Sequence, residues 1–465
     1  MTDYAALLLP DKGQPAHDLH LVNADGYEEW LKSRPDRERA LLAAQKFAGK
    51  GYEVAILPGD KPEEWSAVLG VADPESLSSW CLAKAAETLP GGSYRVAGRD
   101  PGPAAFGWLT AQYRFDRYKQ EPDPSEPRVL LSGEAGRIDS LVAEAAATDL
   151  VRTLVNLPAE DMGPAELQQE AEKIAAAGVA AMEVTSGASL EEGYPMIAAV
   201  GRAAPKDRRP RLIELHWGNP EHPKIAVVGK GVCFDTGGLD VKSASGMRLM
   251  KKDMGGAAHA LGLARLIIER QLPVRLHLLV PAVENSISGN ALRPGDVIAS
   301  RKGLSVEIGN TDAEGRLILG DALARACEEK PELVIDFATL TGAARVALGP
   351  DLPALFTDNE ELAAGMLEAG TAHDDPVWRP PLWEAYDELL KSDIADTDNA
   401  ASSSMAGATT AGLFLKKFVD PQIAWVHFDT YAWRVTAKPG RPKGGEACGL
   451  RAAWHALRAR YDDRK

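Results

Sequence analysis

The 465-residue sequence predicts an α/β fold in two domains, a smaller N-terminal α/β domain and a larger C-terminal α/β/α domain with a central mixed, mainly parallel sheet. Three observations predict it. The chain is longer than one core usually serves, since domains typically hold about 100–200 residues. In the second part, apolar runs of strand length alternate with helical periodicity, the pattern of a sheet covered on both faces. Between the two parts, RFDRYKQEPDPSEPRVLL (114–131) places Pro122, Pro124 and Pro127 among charges, a density of proline that stops regular structure.

The expected division is an N-terminal α/β domain over 1–128, a linker and connecting helix over 129–160, and a larger domain over 161–465. In the first domain, YEVAILP (52–58) and SYRVAG (93–98) read as strands separated by helical patterns. After the boundary, Ile138, Leu141, Val142 and Ala145 fall at i, i+3, i+4 and i+7, one buried helical face that joins the two domains. The second domain then gives the strands KIAVVG (224–229), VRLHLLVPAV (274–283), LSVEIG (304–309), LVIDFA (333–338) and IAWVHFD (423–429). Helical patterns at 256–270 and 321–329 lie between them. There is no internal repeat. Sheets of this class bind ligands beyond the carboxyl ends of their strands, so the loops after these strands are where chemistry is expected.

Composition narrows the function classes. Apolar residues make up 45% and charged residues 26%, the balance of an ordinary globular protein. Against 52 Lys+Arg stand 67 Asp+Glu, a net charge of −15, and such a field repels phosphate backbones. The four cysteines, Cys81, Cys233, Cys327 and Cys448, are far apart and form no CxxC, which supports neither a disulfide framework nor a zinc knuckle and fits a reducing compartment. Asp3 stands where a signal peptide needs basic residues, and no apolar stretch approaches the roughly 18–20 residues of a membrane span. A soluble, cytoplasmic protein with no membrane or nucleic-acid partner is expected.

Two strand-terminal loops carry the chemistry. After KIAVVG come Lys230, Asp235 and Lys242, followed by Asp253 in MRLMKKD; after LSVEIG come Asp312, Glu314 and Arg316. Either loop alone reads equally well as a solvated Gly-rich turn. Together they offer four carboxylates, Asp235, Asp253, Asp312 and Glu314, each near a strand end or helix start. Four carboxylates in one crevice do not all stay ionised without cations, and two divalent metals sharing a bridging carboxylate accommodate them. Of Lys230 and Lys242, one can ligate as a neutral amine while the other stays charged to polarise a carbonyl. No GxSxG, HExxH or phosphate-binding loop competes. His259 and His277 lie within apolar patterns and read as core histidines, and Cys233 reads as a buried structural thiol.

NTDAEGRL (310–317) resembles the signature of the leucyl aminopeptidase family, the two-metal cytosol aminopeptidases. VGKGVCFDTGG (228–238), Lys242, KKDMGGAA (251–258), ATLTGA (338–343) and LPAEDMGPAEL (157–167) resemble other family segments in order, so the similarity covers roughly 150–465. It is weak over the first 130 residues. The resemblance implies a tight metal site of Lys230, Asp235, Asp253 and Glu314, and a more exchangeable one of Asp235, Asp312 and Glu314. It also implies a catalytic pair, Lys242 stabilising the oxyanion and Arg316 holding a bicarbonate that acts as general base. Met250, Thr339, Leu340 and Gly342 would line the pocket for the first side chain, with core packing as the equal alternative. Two divalent ions per subunit, Mn²⁺ or Zn²⁺, peptide substrates and a homohexamer are implied as well. Thr236 stands where many members have serine, Ser243 where a proline is common, and Asp240 adds a carboxylate. The expected function is hydrolysis of the N-terminal peptide bond. The alternatives are a narrow two-metal dipeptidase, for example for Cys-Gly, and a DNA-binding or scaffold role, which the charge disfavours.

Overall fold

In the computed structural model, residues 2–61, 63–121 and 126–462 are described, and Pro122 and Pro124 lie outside them. The chain divides into two compact units, Met1–Asp149 with Thr436–Lys443, and Leu150–Val435 with Gly444–Lys465. The division falls inside the helix Ala135–Asn156, whose Ile138, Leu141 and Ala145 are buried in the core of the first unit.

The first unit holds a six-stranded sheet of β1 (Leu8–Pro10), β2 (His17–Val22), β3 (Val54–Pro58), β4 (Trp65–Gly70), β5 (Gly92–Val96) and β6 (Arg128–Ser132), in the order β1-β6-β5-β2-β4-β3. Only β3 runs antiparallel to its neighbour. The helix Ala104–Thr110 is buried at every residue, and its Trp108 donates Nε1–H to the Arg128 carbonyl at 2.9 Å, so the indole is enclosed without losing its hydrogen bond. The proline-rich segment precedes β6, which closes the sheet between β5 and β1.

The second unit is built on a larger sheet. Its strands are β7 (Ala181–Ser186), β8 (Arg211–Trp217), β9 (Lys224–Gly229), β10 (Gly231–Asp235), β11 (Arg275–Asn285), β14 (Leu333–Ala338), β15 (Ala354–Phe356) and β17 (Ala424–Asp429). They run in the order β15-β17-β14-β9-β11-β8-β7, with β10 pairing β11. The pairs β17–β14, β14–β9 and β9–β11 are parallel, whereas β15, β8 and β7 pair antiparallel at the flanks. The sheet is thus mixed with a parallel centre. The central strands β9 and β14 are buried on both faces apart from Lys224, which explains their unbroken apolar sequence. The helix Gly255–Glu269 lies directly on their ends: a Cβ on Gly256 would stand 2.1 Å from the Phe337 carbonyl oxygen, so only glycine permits the approach.

Two expected elements differ. GVCFD, read as loop, is the strand β10, because Lys230 N–H bonds the Phe337 carbonyl at 2.9 Å and the chain then pairs with β11 before a register shift at Asp235. LSVEIG forms only β13 (Ser305–Glu307), outside the main sheet, between β12 (Val297–Ala299) and β16 (Thr397–Asp398). Ser305 and Glu307 are only partly buried, so this segment has one apolar face and suits a small sheet rather than a doubly covered one. A short hairpin of β18 (Trp433–Arg434) and β19 (Gly444–Gly445) completes the strands. Among the described residues no helix is long and apolar enough to cross a membrane.

Candidate metal centre

The five expected metal-ligating side chains and Lys242 converge at the carboxyl ends of the central strands. Lys230 sits in the break between β9 and β10, Asp235 ends β10, Asp253 precedes the helix Gly255–Glu269, and Glu314 opens the helix Glu314–Glu328. Helix starts favour carboxylates through the partial positive charge of their free N–H groups. Lys230 Nζ lies 2.8 Å from Asp253 Oδ2, 3.0 Å from Glu314 Oε1 and 3.0 Å from the Thr339 carbonyl oxygen. Lys242 Nζ lies 2.8 Å from Asp235 Oδ2 and 2.5 Å from Asp312 Oδ1. Asp235, Asp312 and Glu314 each present an oxygen within 4.8 Å of the others.

The electrostatics are those of a cation site. Lys230, Asp235, Asp253 and Glu314 are buried, and Asp312 is the most open carboxylate. Four carboxylates face two ammonium groups, leaving two negative charges uncompensated. Burial, and next the Asp235 charge, push Glu314 up to about 8 and Asp312 up to about 6. Burial would also raise Asp253, but Lys230 outweighs it and holds that carboxyl below its usual range. Both lysines are driven the other way: burial opposes their charge, yet Asp253 and Glu314 raise Lys230, and Asp235 raises Lys242. Asp253 Oδ2 and Asp312 Oδ1 each face one ammonium group, whereas Glu314 Oε2 is buried with no partner. A buried acceptor left over beside excess negative charge fits divalent cations, which also reverse the local bias on the lysines.

The loops around the site lock one another. Gly237 and Gly238 have φ of +88° and +65°, which turns the chain so that Asp235 Oδ1 accepts from Gly237 N–H at 2.9 Å. Thr236 uses its hydroxyl on the Asn285 carbonyl at 2.7 Å, and Ser243 accepts from Gly246 N–H to cap the short helix Ala244–Met247. Asp240 Oδ2 accepts from Thr311 N–H at 2.8 Å, which ties the 236–242 turn to the loop bearing Asp312. Arg316 stands apart from the carboxylate contacts: Nη1 donates to the Asn399 carbonyl at 2.7 Å, while Nε has no acceptor. Burial pushes its guanidinium down to about 10.

Of the expected pocket residues, Thr339 is tied to the carboxylate cluster itself, its hydroxyl 2.8 Å from Asp253 Oδ1. Leu340 N–H and Thr341 N–H donate to Asp429 Oδ1 at 3.1 and 3.2 Å, and Thr341 Oγ1 donates to Oδ2 at 2.6 Å. Gly342 then begins the helix Gly342–Leu348, and Met250 is half-buried beside Lys251 and Lys252. Sequence reasoning missed Asn285, which donates to Asp235 Oδ1 at 2.8 Å, together with Asp429 and Lys252. The signal for the first two was their place as last residues of β11 and β17. Burial pushes Lys252 down to about 8.

Elsewhere, His259 is buried with Nδ1 2.7 Å from the Gly255 carbonyl oxygen, and burial lowers it to about 4, so it is neutral. Burial raises the Cys233 thiol, in keeping with an inert cysteine. Glu214, His216 and His277 form a second group of metal-type side chains. There the two imidazoles stack at 4.2 Å and Arg325 Nε already lies 3.1 Å from Glu214, so the carboxylate has its cation.

Comparison with known proteins extends the resemblance to both units. Residues 149–453 match the model described as "Cytosol aminopeptidase family, catalytic domain", and 18–132 match "M17 aminopeptidase, N-terminal domain". A probable cytosol aminopeptidase 1 of Shewanella oneidensis is 35% identical over 450 residues, 90% of this chain and 88% of the relative. A crystal structure of cytosol aminopeptidase from Coxiella burnetii superposes with a TM-score of 0.92 at 44% identity, covering 98% of this chain and 99% of that one. A mutant form of tomato leucine aminopeptidase gives 0.83 at 29% identity, covering 97% and 96%. The chain therefore belongs to the cytosol aminopeptidase family and is a metal-dependent aminopeptidase that hydrolyses the N-terminal peptide bond at a bridged dinuclear site.

Proposed function

We propose that Lys230, Asp235, Asp253 and Glu314 hold one divalent metal tightly and that Asp235, Asp312 and Glu314 hold a second, more exchangeable one, with Asp235 and Glu314 bridging. The observation that carries this assignment is the convergence of four carboxylates on only two lysines, with Glu314 Oε2 left buried and without a partner. The metal pair would supply the Lewis acidity that activates water, polarises the scissile carbonyl and takes up the free α-amine of the first residue. Lys242, whose Nζ lies beside Asp235 and Asp312, would stabilise the carbonyl oxygen as it gains negative charge. Arg316, with Nε lacking an acceptor, fits a small oxyanion and would hold bicarbonate, which would supply a general base. Met250, Thr339, Leu340 and Gly342 line the pocket for the first side chain, Met250 as an adaptable apolar wall.

Mn²⁺ or Zn²⁺ suit an oxygen-rich donor set with one amine. The bottromycin maturation enzyme BotP, 29% identical with a TM-score of 0.86, was solved in complex with Mn. We further assign the catalytic domain to 161–465, the connecting segment to 129–160 and the N-terminal domain to 1–128. We take the assembly to be a homohexamer and the compartment to be the cytoplasm, in keeping with the acidic charge and the four free cysteines. The same charge argues against a nucleic-acid partner. Glu314→Gln and Asp235→Ala are expected to abolish hydrolysis of leucine anilide. Full activity in either variant would refute the ligand assignment.

A further inference from the structure

Beside the 339–342 wall stand two cations with no assigned partner. Lys252 is only 5% exposed, and its ammonium donates no hydrogen bond among the described residues. Its Nζ lies 4.9 Å from the ring centroid of Tyr431, and Arg345 Cζ lies 4.9 Å from the same centroid. Arg345 is exposed on the helix Gly342–Leu348, its guanidinium likewise donating no hydrogen bond among the described residues, and its Nη2 would be 4.0 Å from a Cβ on Gly342. A ring face offsets only part of an ammonium's lost hydration, and two cations at one ring repel each other. The nearby carboxylates Asp253 and Asp429 attract Lys252 by charge but keep their oxygens for other partners. Asp429 spends both oxygens on Leu340 and Thr341, and Asp253 faces Lys230 and Thr339.

We propose that Lys252 and Arg345, gathered at the ring of Tyr431, form a subsite for a carboxylate of the peptide substrate. The proposal rests on the aminopeptidase reading and on the pocket assigned to Met250 and Gly342, which precede Lys252 by two residues and Arg345 by three. Arg345 offers a planar donor fork matched to carboxylate geometry, Lys252 a point charge behind it, and Tyr431 a surface for the aliphatic part of the ligand. Two sources share this chemistry: an acidic first side chain, and the C-terminal carboxylate of a dipeptide.

The test uses the metal-loaded full chain and two matched pairs, glutamyl against glutaminyl anilide and Leu-Gly against its C-terminal amide. The wild type is expected to favour the charged member of at least one pair by about tenfold in kcat/KM, mainly through KM. A preference in the first pair assigns the side-chain source, and one in the second the C-terminal source. Lys252→Met and Arg345→Ala should each erase most of that preference, and Arg345→Glu should reverse it. Because Arg345 is exposed on a short helix, its variants keep the test open should Lys252→Met fail to fold. No charge preference in either pair, or a preference that survives both substitutions, would overturn the proposal. Cleavage of leucine anilide by the same wild-type sample, with no such preference, would leave the aminopeptidase reading standing and remove only the subsite.

Discussion

Gly315 sets the position of Lys230. A Cβ there would stand 2.3 Å from Lys230 Cε and 2.6 Å from Nζ, an enclosed side-chain end held by Asp253, Glu314 and the Thr339 carbonyl. Gly315→Ala suits the helix it enters but would displace the amine from Asp253 and Glu314 and leave their buried charges uncompensated. The expected result is a lowered Tm with metal retention weakened by about tenfold or more, read by dialysis against a chelator. Glu314 makes a pH prediction. Its carboxyl is raised in the metal-free protein, so the stability contributed by its bound proton is complete below the ordinary value of 4.5 and lost as pH rises through about 8. Metal-free protein should lose Tm as pH rises from about 4.5 to about 8 and level off above, and metal-loaded protein should stay level over the upper part of that range. At this scale much of the site was legible in the sequence, because Asp235, Asp253, Asp312 and Glu314 sit beside strand ends and helix starts that periodicity reveals. Asn285, Asp429 and Lys252 were not, because their partners are contributed by distant segments or, for Lys252, by a ring that only folding brings near.

At the scale of elements, a buried charge triad holds the end of the helix Ala135–Asn156 to the β18–β19 hairpin. Glu446 Oε1 accepts from Arg152 Nη2 at 3.0 Å, and Oε2 accepts from Arg434 Nε at 3.0 Å, all three side chains being almost wholly enclosed. Burial would raise the Glu446 carboxyl, but Arg152 and Arg434 prevail and hold it below the ordinary value of 4.5. Its stabilising contribution is thus present above that value and lost as pH falls further. Glu446→Ala strands two buried guanidinium groups and should cost about 3–5 kcal/mol, visible as a lowered urea midpoint. Elements were legible where periodicity was unbroken, as in β9 and β14, which match their apolar runs. The strand β10 was hidden by glycines that read as a turn. The sheet containing β13 was hidden because β13 pairs with β16 across 91 residues, Val306 opposite Thr397.

For the whole molecule, the two-domain α/β class was readable from length, proline density and alternation. The order of strands was not, since it depends on pairings between segments far apart in sequence. The net charge of −15 has two components. Two divalent cations would bring the loaded chain to about −11, or about −12 with Lys230 as the neutral amine, so part of the acid is the active site and the remainder a solvent-facing field. Sedimentation of the loaded protein is expected to give a particle of about six times the 49.8 kDa chain, and a monomer would refute the hexamer.

Whether hydrolysis depends on the dinuclear site is read by removing its metals and returning them. Chelated, metal-free protein should cleave leucine anilide at less than about a thousandth of its loaded rate and regain that rate when Mn²⁺ or Zn²⁺ reaches two ions per chain. Undiminished hydrolysis by protein shown to be free of metal would contradict that dependence.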